Sequence, residues 1–249
     1  LAIYRTAPAV WVFRLFQLQF VYLRRLELAL FQAISAVSAT PWGSASICLI
    51  SYGYIKMLGT EGLKHATVIA ILNANYIKSK LEESYGILYS NNNNRVAHEM
   101  IIECRDFKAD SGVEAGDIAK RLMDYGFHAP TVSFPVVGTL MVEPTESESK
   151  EELDRFIEVM IAVRSEVQEI VEGKYDKVNN PIQNAPHTSK VVISDAYNYP
   201  YSRETAVFPL PWIKESKYWP TIGKADNAYG DRNLICSCVG IEAYMEEVV

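Results

Sequence analysis

The side chains of this sequence that could bind an anion lie around one predicted strand. His98 and Glu99 precede the apolar run Met100–Ile102, and Arg105 follows it. Side chains alternate between the two faces of a strand, which would place His98 and Glu99 on opposite faces. His98 or Arg105 could therefore contact an anionic cofactor or substrate. The alternative is an edge histidine and a surface ion pair.

Metal and thiol chemistry has weaker support. The histidines are isolated from one another in the sequence: His65, His98, His128 and His187. Because zinc ligands recur at short, regular spacings, we predict no metal site. Cys236 and Cys238 form a Cys-x-Cys pair, whereas zinc sites use Cys-x-x-Cys. They are candidates for a redox pair if one thiol is exposed, or else tail cysteines without such a role.

Two further residues could act as nucleophiles. Lys56 could form a Schiff base, but it lies in a predicted helix between apolar neighbours, so we predict that it faces solvent. Ser44 stands in Gly-Ser-Ala-Ser, which lacks the second glycine of the Gly-x-Ser-x-Gly nucleophile motif. Ser44 is instead predicted to cap or line a helix N-terminus, whose backbone N–H groups also suit an anion.

The composition is that of an ordinary globular protein and excludes some partners. The chain has 249 residues, 49% of them hydrophobic and 22% charged. Its net charge of -6 gives no electrostatic reason to bind nucleic acid or an anionic membrane. Four irregularly spaced cysteines do not resemble a secreted disulfide framework, so a reducing compartment is expected.

Residues 1–35 differ from the rest of the chain. They hold four arginines against one glutamate, a local charge of +3, among many bulky apolar residues. Their uncharged runs are far shorter than the roughly 20 residues of a membrane span. The segment could be a targeting helix or a membrane-surface helix. The interpretation we favour is a non-native stretch from a truncated or mis-joined gene model.

Apolar periodicity and turn residues predict alternating helices and strands from residue 36 onward. The predicted helices cover residues 43–58, 61–81, 114–124 and a segment that follows the capping residue Ser149 and stops at Gly173. The predicted strands cover residues 87–89, 96–104, 131–134 and 138–142. The apolar stripe of the last helix comprises Leu153, Phe156, Ile157, Met160, Ile161, Val167 and Ile170. This order predicts an α/β sandwich.

The predicted organisation has four parts. Residues 1–35 are the atypical segment, 36–82 a helical region, 83–174 a small α/β domain, and 175–249 an irregular tail. The tail is rich in prolines and aromatic residues, which predicts order rather than disorder. A Gly-x-Gly-x-x-Gly or Walker loop is absent, so a nucleotide-binding domain is not indicated.

Several motifs, which follow one another in a fixed order along the chain, resemble the C-terminal region of glycine decarboxylase, the P-protein of the glycine cleavage system. Ser38–Ser46 is similar to that family's Ser-Ala-Ala-Pro-Trp-Gly-Ser-Ala-Ser run. The other similar segments, in order, are Tyr54–Met57, Ala70–Tyr76, His98-Glu99, Ala119–Leu122, Asp124–Thr131, Pro135, Gly138–Glu148, Pro200–Glu204, Phe208-Pro209, Trp219-Pro220 and Tyr229–Asp231. The resemblance covers about residues 36–238, and long motifs in a fixed order are specific.

The resemblance implies the end of a fold-type-I pyridoxal 5'-phosphate enzyme. Its small C-terminal α/β domain would have helices before it and a long irregular tail after it. The implied reaction is decarboxylation of glycine, with transfer of the aminomethyl group to the lipoyl arm of the H-protein. The implied partners are glycine, lipoylated H-protein and a second P-protein in a dimer. The implied location is the mitochondrial matrix in a eukaryote and the cytoplasm otherwise.

The candidate lining residues for such a site are Ser44, His98, Arg105, Glu143, Thr145 and Arg203. An arginine would suit the glycine carboxylate or the cofactor phosphate, because its guanidinium forms a two-pronged contact. For Glu143 and Arg203 the alternative is a structural ion pair.

The family's cofactor lysine should precede the Ser-Ala-x-Pro-Trp-Gly motif, but residues 1–35 contain no lysine. We therefore predict no catalytic residue in this chain and no activity when it is alone. Phe134 stands where the family usually has tryptophan, and Cys104 also departs from the family pattern. The alternative function is a non-catalytic module that pairs with an intact P-protein or docks the H-protein.

Overall fold

The computed structural model describes residues 45–233. Ser44, Cys236, Cys238 and the atypical segment 1–35 lie outside the described residues. The contacts divide the chain after Gly59 rather than after residue 82. The reason is that Ala74, Ile77 and Leu81 are buried in the same core as the small domain.

The first helix within residues 45–233, α1, runs from Ile47 to Leu81 and is interrupted at Gly59. Gly59 has a φ of 61° and a ψ of -173°, values that a helix does not adopt and that glycine tolerates. The predicted break between two helices is therefore confirmed. The part of α1 before Gly59 exposes apolar side chains, among them Ile50 and Met57, and Lys56 is exposed there as predicted. Within residues 45–233, no helix meets the length and hydropathy of a membrane span.

An antiparallel three-stranded sheet forms the centre of the second unit, in the order β1-β3-β2. The strands are β1 (Met100–Glu103), β2 (Thr131–Val132) and β3 (Thr139–Val142). Residues of β1 and β3 pair from Met100 opposite Val142 to Glu103 opposite Thr139. The strand predicted at residues 87–89 is only a single bridge between Ile87 and Ile102. The α/β class is confirmed.

Two helices after β1 are short, and only one was predicted. Helix α2 (Arg105–Ser111) was missed, because its seven residues give too little periodicity. Helix α3 (Ala115–Asp124) begins where expected. Glu114 and Asp117 form a reciprocal capping box that satisfies backbone N–H groups at its start.

Helix α4 (Lys150–Val171) is the longest helix of the small domain. The Ser149 side chain accepts a hydrogen bond from the Glu152 backbone N–H, as the capping motif predicts. Most of the predicted stripe is buried, but Ile161 is 44% exposed, so its assignment to the core was wrong. Val159 and Val163 are buried as well, and α4 contacts both α2 and α3.

The tail is irregular but ordered within the described residues. It contains α5 (Ser189–Ile193), α6 (Arg203–Val207), a 3-10 turn (Pro211–Lys214) and α7 (Asn227–Arg232). Ile182 and Ile213 are buried in the main core. Val192, Tyr201, Ala206 and Val207 form a second cluster. The tail thus covers the domain and is stabilised by the apolar area it buries.

Candidate functional site

His98, Glu99 and Glu143 meet at one end of the β1–β3 ladder. Met100 and Val142 form the last pair of the β1–β3 ladder, so Glu99 and Glu143 lie just beyond that pair on neighbouring segments of the chain. The side-chain ligand atoms of all three residues lie within 4.8 Å of one another. His98 Nε2 is 3.6 Å from Glu99 Oε2. The predicted placement of His98 and Glu99 on opposite faces was wrong, because both precede the strand.

Helix α1 positions the segment that carries His98. The Asn75 amide donates to the Val96 carbonyl at 2.8 Å and accepts from the Val96 backbone N–H at 3.1 Å. Asn73 Nδ2 donates to the Thr145 carbonyl at 2.9 Å, two residues after Glu143. One turn of α1 therefore fixes the backbone on both sides of the cluster. The Thr145 hydroxyl itself lies 2.7 Å from the Ser147 hydroxyl.

An open cleft of about 490 Å³ lies beside Glu143. Its apolar wall includes Ile77, Phe127, Met141, Leu153 and Phe156. The carboxylates at its edge belong to Glu143, Glu148 and Glu152, and His128 also lines it. We call it the β3 cleft. Its carboxylates disfavour the binding of an anion and favour the binding of a cationic group.

Arg105 is held by its neighbour Glu103. Arg105 Nε donates to the two carboxylate oxygens at 2.8 and 3.0 Å, and Nη2 donates to the same carboxylate. These hydrogen bonds hold the pKa of Glu103 below its usual value. Gly138 approaches so closely that a Cβ there would lie 2.7 Å from Arg105 Cγ. The ion pair that the sequence left as an alternative for Arg105 is present, and contact with an anion stays a prediction.

Arg203 does not pair with Glu143 within the described residues. Its Nε donates to the Val192 carbonyl at 2.6 Å, and Nη2 donates to the Ser194 carbonyl at 2.9 Å. Its guanidinium lies 4.6 Å from the centre of the Tyr197 ring. Arg203 thus fastens α6 to α5, and the suggested Glu143–Arg203 ion pair was wrong.

A buried network of charged side chains surrounds Arg121 of α3, and it was not predicted from the sequence. Arg121 has no exposed side-chain surface. Its Nη1 donates to Asp124 at 2.9 Å, and Nε and Nη2 donate to Glu166 at 2.9 and 2.6 Å. It also donates to the carbonyls of Thr205 and Ala206 in α6. One signal was available: Arg121 stands beside Leu122, three residues after Ile118, on the apolar face of α3.

The same network continues through Asp124 to the tail. Asp124 accepts from the His187 backbone N–H and lies 2.7 Å from His187 Nδ1. His187 Nε2 lies 2.9 Å from the Tyr201 hydroxyl. Lys217 donates to the Asp124 carbonyl, and burial lowers the pKa of Lys217 to about 8. The described arrangement has no open face at His187, so we assign it to folding rather than to catalysis.

We expect Asp124 to make stability fall at acid pH. Burial alone would raise its pKa, but the His187 hydrogen bonds and the Arg121 charge outweigh burial and hold the pKa below its usual value. A carboxylate with a lowered folded-state pKa stabilises the fold above the unfolded-state pKa of about 4 and loses that contribution as pH falls through the folded value. The difference in the free energy of unfolding between wild type and Asp124→Asn should therefore be smaller at pH 2 than at pH 5. Urea titrations at the two pH values would measure it.

Asp154→Asn is the matched control for that measurement. Asp154 is partly exposed and pairs with Lys150 at the surface. Its effect should be much smaller at every pH, because solvent screens such pairs. A difference between wild type and Asp124→Asn that stays constant from pH 5 to pH 2 would contradict the assignment.

The comparisons with known proteins match most of the chain. A family model described as the glycine dehydrogenase C-terminal domain matches residues 66–187. A protein named glycine dehydrogenase (decarboxylating) from Flavobacterium johnsoniae is 60% identical over 215 residues, 86% of this chain. Proteins of the same name from Bdellovibrio bacteriovorus and Nostoc punctiforme are 58% and 57% identical over 85% of it.

The matched relatives are much longer than this chain. The chain spans about a fifth of their length, since the aligned part covers 22% of each. The description of the family model and the names of the relatives agree with each other and with the family that the motifs from Ser38 to Asp231 resemble. The chain belongs to the glycine dehydrogenase (decarboxylating) family and corresponds to the C-terminal region of its members.

Proposed function

We propose that this chain acts in the decarboxylation of glycine, as the C-terminal part of a pyridoxal 5'-phosphate enzyme. The observation that carries the proposal is identity of 57–60% over about 85% of the chain to proteins named glycine dehydrogenase (decarboxylating). Because those relatives are far longer, the complete activity belongs to the complete enzyme.

The proposed reaction releases the glycine carboxylate as carbon dioxide and passes the aminomethyl group to the lipoyl arm of the H-protein. When bound, pyridoxal phosphate supplies an electron sink for the carbanion that decarboxylation leaves. The proposed partners are glycine, lipoylated H-protein and a second P-protein subunit. The proposed location is the mitochondrial matrix if the source is a eukaryote, and the cytoplasm otherwise.

We infer that neither Lys56 nor Lys217 anchors pyridoxal phosphate. A Schiff-base lysine must reach an enclosed polar pocket, whereas Lys56 is exposed on α1. Lys217 is half-buried, but its ammonium group donates to the Asp124 carbonyl. The acidic edge of the β3 cleft disfavours a phosphate or a carboxylate there. We therefore assign to this chain the walls and the support of the site, and not the anchor of the cofactor.

A chimera tests this assignment. The C-terminal 215 matched residues of the Flavobacterium johnsoniae protein would be replaced by the matching part of this chain. We expect the chimera to catalyse glycine-dependent exchange of labelled carbon dioxide in the presence of lipoylated H-protein, because this chain is 60% identical to the part that it replaces. The same relative without its C-terminal part should be inactive.

Borohydride trapping separates the two parts of the proposal. Reduction in the presence of pyridoxal phosphate should fix the cofactor to a lysine in the relative's part of the chimera. The chain alone should give no fixed adduct. A folded chimera without exchange activity would overturn the proposed function, and an adduct on Lys56 would overturn the assignment of the anchor elsewhere.

A further inference from the structure

The cluster of His98, Glu99 and Glu143 has the composition of a metal site, which the spacing of the histidines alone did not reveal. One imidazole and two carboxylates offer one nitrogen and two oxygen ligands within 4.8 Å of one another. They come from two chain segments that the β1–β3 pairing brings together. Sequence spacing between histidines could not reveal this group, because Glu143 lies 45 positions after His98.

The two carboxylates are an unfavourable pair without a cation. Glu99 and Glu143 follow the last pair of an antiparallel ladder, and like charges opposite each other in such a ladder are destabilising. Asn75 and Asn73 hold the backbone on both sides of them, at Val96 and Thr145. The supported backbone keeps the two acids together, so a divalent cation would relieve their repulsion.

The spacing of the ligand atoms also fits an ion of small radius. Zinc binds imidazole nitrogen and carboxylate oxygen at about 2.0–2.2 Å, and a tetrahedral arrangement then places neighbouring ligand atoms about 3.4 Å apart. His98 Nε2 and Glu99 Oε2 are 3.6 Å apart, and the ligand atoms of all three residues lie within 4.8 Å of one another. Calcium is a poorer fit, because it takes six to eight oxygen ligands.

We propose that His98, Glu99 and Glu143 bind one divalent transition-metal ion, with zinc as the best match, at the edge of the β3 cleft. Three protein ligands leave a fourth position for water or for a ligand in the cleft. Glu143 belongs to both the cluster and the cleft. This site lies beyond the proposed decarboxylation.

Zinc titration by calorimetry tests the proposal. All proteins would carry Cys236→Ser and Cys238→Ser, because the two thiols could bind zinc themselves. We expect one zinc ion per chain, and His98→Ala or Glu143→Gln should weaken the affinity at least about 10-fold. His128→Ala is the matched control, since His128 lines the same cleft outside the cluster, and it should leave the affinity unchanged.

The zinc titrations can either support or overturn the proposed site. Loss of affinity in both cluster variants with retention in the control supports the site. No zinc binding by the parent protein, or an affinity that His98→Ala and Glu143→Gln leave unchanged, overturns it. The cluster side chains are exposed or partly exposed, so their substitution leaves the core intact, and circular dichroism would verify the fold of each variant.

Discussion

Replacing Arg121 with leucine should lower the free energy of unfolding by about 3–5 kcal/mol, the range for a broken buried ion pair. Leucine fills part of the volume but offers no donor. Asp124 and Glu166 would then lose their shared cation, and Asp124 has no exposed side-chain surface. The Thr205 and Ala206 carbonyls would lose a donor as well. A buried acceptor without a partner adds its own desolvation penalty.

Urea unfolding of the purified chain would measure this loss. Arg121→Lys retains the charge but not the planar fork that contacts Asp124 and Glu166 together, so its stability should fall between wild type and Arg121→Leu. Lys150→Leu is the surface control: it removes an exposed pair with Asp154 and should shift the midpoint little. Equal midpoints for wild type and Arg121→Leu would mean that the network does not stabilise the fold.

Arg121 also shows how far its surroundings could be predicted from the sequence. Helix α3 was predicted within one residue of its observed bounds. The local pattern places Arg121 on the apolar face of α3, but it does not identify the partners Glu166 and Ala206, which are far away in the sequence. Charged residues are buried only when such partners exist, and the partners come from tertiary packing.

The sequence singled out His98 and Glu143 as candidate lining residues, but it did not show that they meet, because their proximity depends on the register of β1 against β3. Register follows from long-range pairing, which local periodicity does not encode. The surface ion pair of Arg105 was foreseeable as an alternative, since Glu103 lies two residues before it. Short helices such as α5 and α6 escaped because five residues give too few periods to detect.

Helix α4 shows which features of one helix could be predicted from the sequence and which could not. Its start at Ser149 and most of its apolar stripe followed from capping and period. Ile161 was assigned to the core and is exposed, whereas Val159 and Val163 are buried. The width of the buried face depends on what packs beside the helix, and α2 and α3 both contact α4. A stripe therefore predicts the direction of a helix more reliably than the edges of its contact surface.

The second large effect should come from Leu140, at the centre of the sheet. Leu140 is fully buried in β3, between Ile102 of β1 and Val132 of β2. Leu140→Ala should lower the free energy of unfolding by about 2–5 kcal/mol, because it loses apolar contact and leaves a cavity. The next residue, Met141, points to the opposite face and lines the β3 cleft.

Met141→Ala is therefore the matched control, one residue away in the same strand. Its side chain is only partly buried, so the cavity term should be smaller and the loss of stability clearly less than for Leu140→Ala. Glu143 follows β3 directly. Either variant should therefore weaken zinc binding only at urea concentrations at which the sheet unfolds. Urea midpoints for both variants decide the matter: equal losses would mean that the two faces of β3 are packed alike, and the separation of core face from cleft face would be wrong.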